Sequence, residues 1–352
     1  MRKLIILIVV LACYSPIVFA QIGGESTYDF LNLTNSARMA ALGGNQIAIN
    51  DSTDLNVSYN NPSLLRPEMR NMLVMDYVAY FVGINYGYAA YSFKTPLPGN
   101  FAVGMNYINY GSFIEALADG QKTGATFNAA EYALNLMWSN QYKQIAYGIN
   151  LKPLLSSLDT YQSIGIAADL GVSLFSKNHY TVTSLVARNI GTQITTYYDG
   201  ASRESIPFDL QFGISKKLLH APIRFAATLQ HLQKWDLAKP VIDSSSTTVA
   251  IKEDNFTTKF MRHLVLGIEL LPSPNFTIRA GYNYQLRQEL KLDAKMSTVG
   301  LSWGFGFRIS RFELNYGSER YSLAGSSNLI SVAINLSDGY HRSVAPTEEP
   351  VK

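Results

Sequence analysis

Apolar and polar residues alternate one for one along most of this chain. Near the C-terminus Ile330, Val332, Ile334 and Leu336 alternate with Ser331, Ala333, Asn335 and Ser337. Further upstream, Phe276, Ile278, Ala280, Tyr282 and Tyr284 alternate with Thr277, Arg279, Gly281, Asn283 and Gln285. The same holds for Val299, Leu301, Trp303, Phe305 and Phe307 against Gly300, Ser302, Gly304, Gly306 and Arg308. A period of two marks strands with unlike faces. It predicts fourteen strands, at about 71–79, 82–94, 100–110, 129–139, 143–153, 162–175, 179–189, 206–216, 221–231, 262–271, 275–286, 297–309, 311–319 and 327–337. The alternation is weakest at 71–78 and 180–188.

Charge decides which face is which. Asp169, Asp209, Arg224, Glu269, Arg279, Arg308 and Glu313 lie within these segments, all on the face that carries Gly, Ala, Ser, Thr, Asn and Gln. A soluble sandwich would also segregate its charges. This polar face, however, is rich in Gly and Ala and poor in Lys and Glu, which suits a crowded, hydrated lumen. The opposite face suits lipid, where a midplane Arg or Lys costs about 2–4 kcal/mol. The fold class is therefore all-β: a transmembrane antiparallel barrel over 71–337, with the seven charges facing its lumen.

Connection lengths point the same way. Links after even strands are short, as at Thr95 to Gly99, Asn140 to Tyr142 and Ser176 to Asn178. Links after odd strands are mostly longer, including 111–128, 190–205, 232–261 and 287–296. Outer-membrane barrels pair short periplasmic turns with long outer loops. An even strand count then puts both termini in the periplasm, including a tail at 338–352 that ends in Pro346 and Pro350.

Residues 21–70 break the pattern. Thr34 or Asn35 is a possible N-cap for a helix through Arg38 to Leu42, stopped by Gly43-Gly44. Gln46 to Asn50 reads as a short strand, Asn50 to Asp54 as a turn, and Asn61-Pro62-Ser63 as another helix start. Fifty residues of this kind ahead of a barrel predict a plug in its lumen or a cap beneath it.

The first twenty residues are a leader. Arg2-Lys3 precede an apolar run from Leu4 to Leu11 and a small-residue exit at Val18-Phe19-Ala20, giving a signal peptide over 1–20. A rival lipobox at Val10-Leu11-Ala12-Cys13 fits less well, because Leu11 stands before the small residue. Either route exports the chain.

Composition removes several functions. A net charge of +3 does not suit nucleic acid, so no nucleic-acid partner is expected. One cysteine in 352 residues leaves no disulfide framework and no Cys-ligated zinc. The five histidines show neither HxH nor HExxH spacing, and no G-x-S-x-G elbow occurs. His231 and His263 flank the longest loop but have no serine motif beside them. Asp51 and Asp54 could hold a cation, although a turn bonded to its own backbone is the simpler reading. Gly304-Phe305-Gly306 is read as strand glycines, since residue 309 is Ile and no helix follows. No enzyme, cofactor or metal is expected.

The block Gly23-Gly24-Glu25-Ser26-Thr27-Tyr28-Asp29-Phe30-Leu31-Asn32-Leu33, continuing through Asn35, Arg38, Gly43 and Gly44, resembles the start of the PorQ family. These are barrels of the Bacteroidetes type IX secretion system. Asn60-Asn61-Pro62-Ser63-Leu64-Leu65 and Gly83 to Tyr91 resemble it too. The pattern of helix, double glycine, acidic turn and Asn-Pro is shared more widely with PorV and FadL-like barrels. The resemblance implies a FadL-like barrel of fourteen strands with an N-terminal hatch, in which Asn35, Arg38, Gly43, Gly44, Asn61 and Pro62 form the hatch motif. It also implies a non-enzymatic place in the outer membrane and its lipid, within the cell-surface attachment complex. There the barrel would hold a PorZ-like surface protein alongside PorU and PorV, and the sortase chemistry would belong to PorU. The alternative is FadL-like transport of hydrophobic solutes.

Overall fold

A computed structural model describes residues 26–79, 84–116, 119, 121–238, 254–290, 298–320 and 326–337, with short strands at 241–242 and 249–250. The leader, the C-terminal tail and the tip of the longest loop lie outside the described residues.

Fourteen strands close into one antiparallel barrel. In chain order they are β1 (Met72–Ala79), β2 (Asn85–Phe93), β3 (Asn100–Ala116), β4 (Lys122–Tyr142), β5 (Ile145–Leu158), β6 (Tyr161–Phe175) and β7 (Thr181–Thr195). They continue with β8 (Asp209–Lys217), β9 (Ile223–Leu229), β10 (Leu264–Ser273), β11 (Phe276–Asn283), β12 (Leu301–Ile309), β13 (Phe312–Arg320) and β14 (Ser326–Asn335). Each pairs with its successor, and β14 closes on β1 with Met72 opposite Asn335 and Ala79 opposite Asn328. Full closure leaves no unpaired edge within the wall, which lipid demands.

Side chains alternate as the pleat requires. Along β6, Ile164, Ile166, Leu170, Val172 and Leu174 are exposed, while Ser163, Ala167, Asp169 and Ser173 are buried. Dozens of outward Leu, Ile, Val, Phe and Tyr side chains encircle the wall, a far larger apolar surface than water tolerates on a soluble protein. At the short-turn rim Phe93 lies 6.3 Å from Phe101, Trp138 5.8 Å from Tyr147, and Phe276 4.8 Å from Phe307, ring to ring. Aromatic girdles of this kind sit at membrane interfaces.

Several boundaries differ from the sequence expectation. The link foreseen at 111–128 is mostly strand, because β3 runs on to Ala116 and β4 begins at Lys122. These ends pair only with each other and rise past their neighbours as a two-stranded ribbon. β11 stops at Asn283, and Tyr284–Leu290 form a helix instead of continuing the strand. Phe256–His263 ahead of β10 are also helical.

Inside the barrel lies the segment from Ser26 to Arg70. Helix α1 (Ala37–Ala41) packs on β11 to β14, and the 3-10 turn Pro62–Leu64 packs on β4, β5 and β6. The N-cap of α1 is Ser36, whose hydroxyl accepts from the Met39 amide at 3.4 Å, rather than Thr34 or Asn35. Gln46 to Asn50 is not a strand but an irregular run. Its carbonyls serve wall and hatch side chains instead: Asn61 donates to Ile47 at 2.7 Å and Ser215 to Ala48 at 2.5 Å. The barrel's own ends, Met72 and Asn335, meet at the short-turn rim. The hatch begins at the opposite one, where the Thr27 amide bonds the Ser205 carbonyl at 2.9 Å. The first described residues therefore sit on the long-loop side, not beside the C-terminal end of the barrel.

Candidate functional site

The hatch is held in the lumen by charge. Arg38 on α1 is 1% exposed and reaches Glu269 on β10 through two bonds, Nε at 2.9 Å and Nη2 at 3.0 Å. Its Nη1 also donates to Asp51 at 2.9 Å and Asp54 at 3.2 Å, folding the acidic turn back on the helix. Glu269 in turn takes Arg224 of β9 at 2.5 Å and Arg279 of β11 at 2.9 Å. One carboxylate thus gathers three guanidinium groups from two wall strands and the hatch. Arg308 adds a pair with Glu313 and a bond to the Thr53 hydroxyl in the acidic turn.

Burial is what makes these contacts matter, because a charge taken from water must be matched by partners. Burial alone would raise the pKa of both hatch carboxyls. At Asp51 the guanidinium groups of Arg38 and Arg224 outweigh it and hold the carboxyl well below its ordinary range. At Asp54 burial prevails over Arg38, with help from the charges of Glu313 and Asp51, and the pKa is raised. Asp51 also accepts from its own turn, at the Thr53 amide, 3.0 Å away. The pair is therefore a self-bonded turn that is clamped to an arginine. Among the described residues no cluster of His, Cys, Asp and Glu is arranged to hold a metal.

The other motif residues place backbone. Gly43 and Gly44 have φ of +94° and +92°, a region that side chains avoid. A Cβ on Gly43 would also strike Val265. Facing them, a Cβ on Gly281 of β11 would run into the backbone of Leu42 and Gly43. Asn61 caps the turn at Pro62, accepting from the Ser63 amide at 3.0 Å, while its amide donates to Ser173 of β6 at 3.0 Å. Pro62 lies so close to Gly148 that a Cβ there would meet its carbonyl. Asn35 is fully buried, and neither side-chain amide atom has a partner.

Asp169 pairs with Lys152 at 2.6 Å, away from the Arg38 cluster. It belongs to a ladder across the β2 to β7 wall, in which Asn150 donates to Asn135 at 3.0 Å, Asn135 to Asn106 at 2.7 Å and Asn106 to Tyr86 at 2.5 Å. Asp209 lies at the long-loop end against the His231 amide, 2.6 Å away. His263 is buried under Trp235, with Nδ1 2.7 Å from the Gln230 carbonyl.

Sequence reading missed five inward charges: Asp76, Glu131, Lys152, Arg188 and Glu319. All five sit at inward positions of the alternation, and that signal could have found them. Above the hatch, at the long-loop end, is a cavity of about 210 Å³. Thr34, Asn45 and Asn60 of the hatch border it, along with Arg188, Asp209, Gln230, His231, Glu289 and Glu319.

No protein-family model and no curated protein matches the chain. Among solved structures, a deletion mutant of the TodX monoaromatic hydrocarbon channel aligns over 87% of this chain and 98% of its own, at 15% identity and a TM-score of 0.53. A second TodX deletion mutant covers 86% and 99%, at 15% identity and 0.51. A Pseudomonas aeruginosa FadL homologue covers 90% and 100%, at 10% identity and 0.46. At 15% identity the likeness to the two TodX structures shows the fold alone, a closed fourteen-strand barrel.

Proposed function

We propose that the chain is an integral outer-membrane barrel whose hatch serves as a plug, and that it admits hydrophobic solutes when the plug shifts. The supporting observation is the fold it shares with TodX channels over nearly their whole length. With the hatch in place, the cavity is small and its border mostly polar, so passage of an apolar solute requires the hatch to move. Uptake of labelled toluene by cells with and without the protein tests this reading. Loss of the protein should slow uptake several-fold, and unchanged uptake overturns the proposal.

A second reading keeps the plug shut and works at the outer rim. In it the chain is a PorQ-like, non-enzymatic anchor for a PorZ-like surface protein in an attachment complex with PorU and PorV. Two observations favour it. The Tyr28 to Leu33 block that carries the resemblance is built into the hatch, with Phe30 and Leu31 buried. The β3–β4 ribbon projects on the long-loop side, with Phe113 and Phe127 stacked at 5.3 Å. A gentle detergent pull-down of the tagged protein separates the readings. Recovery of a secretion-complex protein with toluene uptake unchanged favours the anchor; an unaccompanied barrel argues against it.

A further inference from the structure

The short-turn rim of the barrel carries charge of one sign, and this supports a proposal that holds under either reading above. Six short turns join the strands there, between β2 and β3, β4 and β5, β6 and β7, β8 and β9, β10 and β11, and β12 and β13. Five of them bear a cation in the turn or on the strand residues beside it: Lys94, Lys143, Lys177, Lys216 with Lys217, and Arg311. No Asp or Glu stands in any of the six turns. These cations are all exposed, and none has a carboxylate partner among the described residues. The opposite rim mixes signs, with Glu115, Asp159 and Asp199 among Lys122 and Arg203.

The collar sits where the apolar belt ends. Lys216 occupies the outward column of β8, next after Phe212 and Ile214 in the alternation and opposite the exposed Phe225 of β9. The Lys143 ammonium lies 5.4 Å from the Tyr142 ring and the Arg311 guanidinium 5.6 Å from the Phe312 ring, both rings being exposed on the outward face. Long basic side chains set this way rest their stems on apolar surface and hold their heads at the interface. A protein partner would need a patch on one flank. Cations spread round the rim and continuous with the lipid-facing surface meet the headgroup layer instead. Ammonium and guanidinium groups form charge-assisted bonds with phosphate, and an anionic headgroup brings no cation of its own to compete. We propose that the short-turn rim binds anionic phospholipid headgroups of the adjoining leaflet, with the collar's Lys and Arg on their phosphates.

Trp138 reports on this rim, since its indole nitrogen donates to the Pro98 carbonyl in the β2–β3 turn at 3.1 Å. The turns at either side of it carry Lys94 and Lys143. With Trp235→Phe and Trp303→Phe, the full chain keeps Trp138 as its single tryptophan. Reconstituted in vesicles of phosphatidylglycerol and phosphatidylcholine, with the acyl chains of one lipid or the other brominated, its fluorescence quenching gives the relative affinity of the two lipids for the rim. Phosphatidylglycerol is expected to be favoured about fivefold, the effect of one cation near an anionic surface. The preference should fall toward unity in the Lys94→Gln/Lys143→Gln variant and in high salt. Lys94→Arg/Lys143→Arg should retain it. Heat-modifiable migration on a gel confirms that each variant still forms the barrel. Equal quenching by the two lipids overturns the proposal, and so does a preference that survives the loss of both lysine charges. Toluene uptake and the pull-down are separate readouts, so failure here leaves both functional readings standing, and the reverse also holds.

Discussion

The two ends of the hatch are built on different principles. Toward the short turns every guanidinium of the central cluster finds a carboxylate, with Arg38, Arg224 and Arg279 converging on Glu269. Toward the long loops the hatch ends under a cavity where Arg188, Asn60 and Asn45 each keep an unpartnered atom. Both ends are buried, so exposure does not explain the contrast. A matched network holds one geometry, because breaking any member strands the others. An unmatched set imposes no such constraint. The lower half of the hatch therefore behaves as a clamp, and the upper half has no comparable ion-pair cluster.

The largest expected effect comes from breaking the clamp at its centre. Glu269→Ala leaves three buried guanidinium groups without their shared partner, and loss of a buried ion-pair partner costs about 3–5 kcal/mol. Protease cleavage within the hatch of the folded barrel should become rapid. If the hatch stays protected, the clamp is not what holds it. On the lipid side, Ile166→Arg should cost about 2–4 kcal/mol in urea titrations of vesicle-inserted protein. A lumen-side change such as Ser173→Thr should cost much less. Gly281→Ala pushes a methyl into Leu42 and Gly43, and overpacking of that kind costs about 1–3 kcal/mol. It should loosen the hatch without lowering barrel yield. The smallest effect belongs to Ser36→Ala, which removes the long cap bond of α1. It should cost about 0.5–2 kcal/mol, near the lower end, read as a slight rise in amide exchange at Met39.

The barrel was legible in sequence because lipid on one side and hatch on the other impose opposite chemistry on alternate residues. All fourteen strands follow from that alternation. It fades at β1 for a physical reason: the inward Val74 and Val78 pack against the hatch, so both faces are apolar and Asp76 looks isolated. The ribbon at 111–116 and 122–128 reads as loop because it is largely exposed on both faces and no alternation is required of it. Tyr284 reads as strand because its side chain continues a period of two, although the backbone has already turned into a helix. The clamp was half visible. Glu269, Arg224 and Arg279 stood on the predicted lumen face, and Arg38 stood in the hatch motif, but nothing in their spacing joined residues 38 and 269. Arg188 stands in a weakly alternating segment, where the sequence gives no sign of the cavity it borders.

Everything rests on which face of the strands meets hydrocarbon. Cys13 is the chain's single cysteine, so single-cysteine variants on a Cys13→Ser background can carry a nitroxide at each position from 164 to 174 of β6. The direct measurement is the accessibility of each label to oxygen, which concentrates in lipid, and to a polar nickel reagent, which does not. High oxygen accessibility is expected at 164, 166, 170, 172 and 174, with low values for both reagents at 165, 167, 169, 171 and 173. Equal access to the nickel reagent at even and odd positions would mean that water, not lipid, bathes the apolar face, and the membrane barrel would be ruled out.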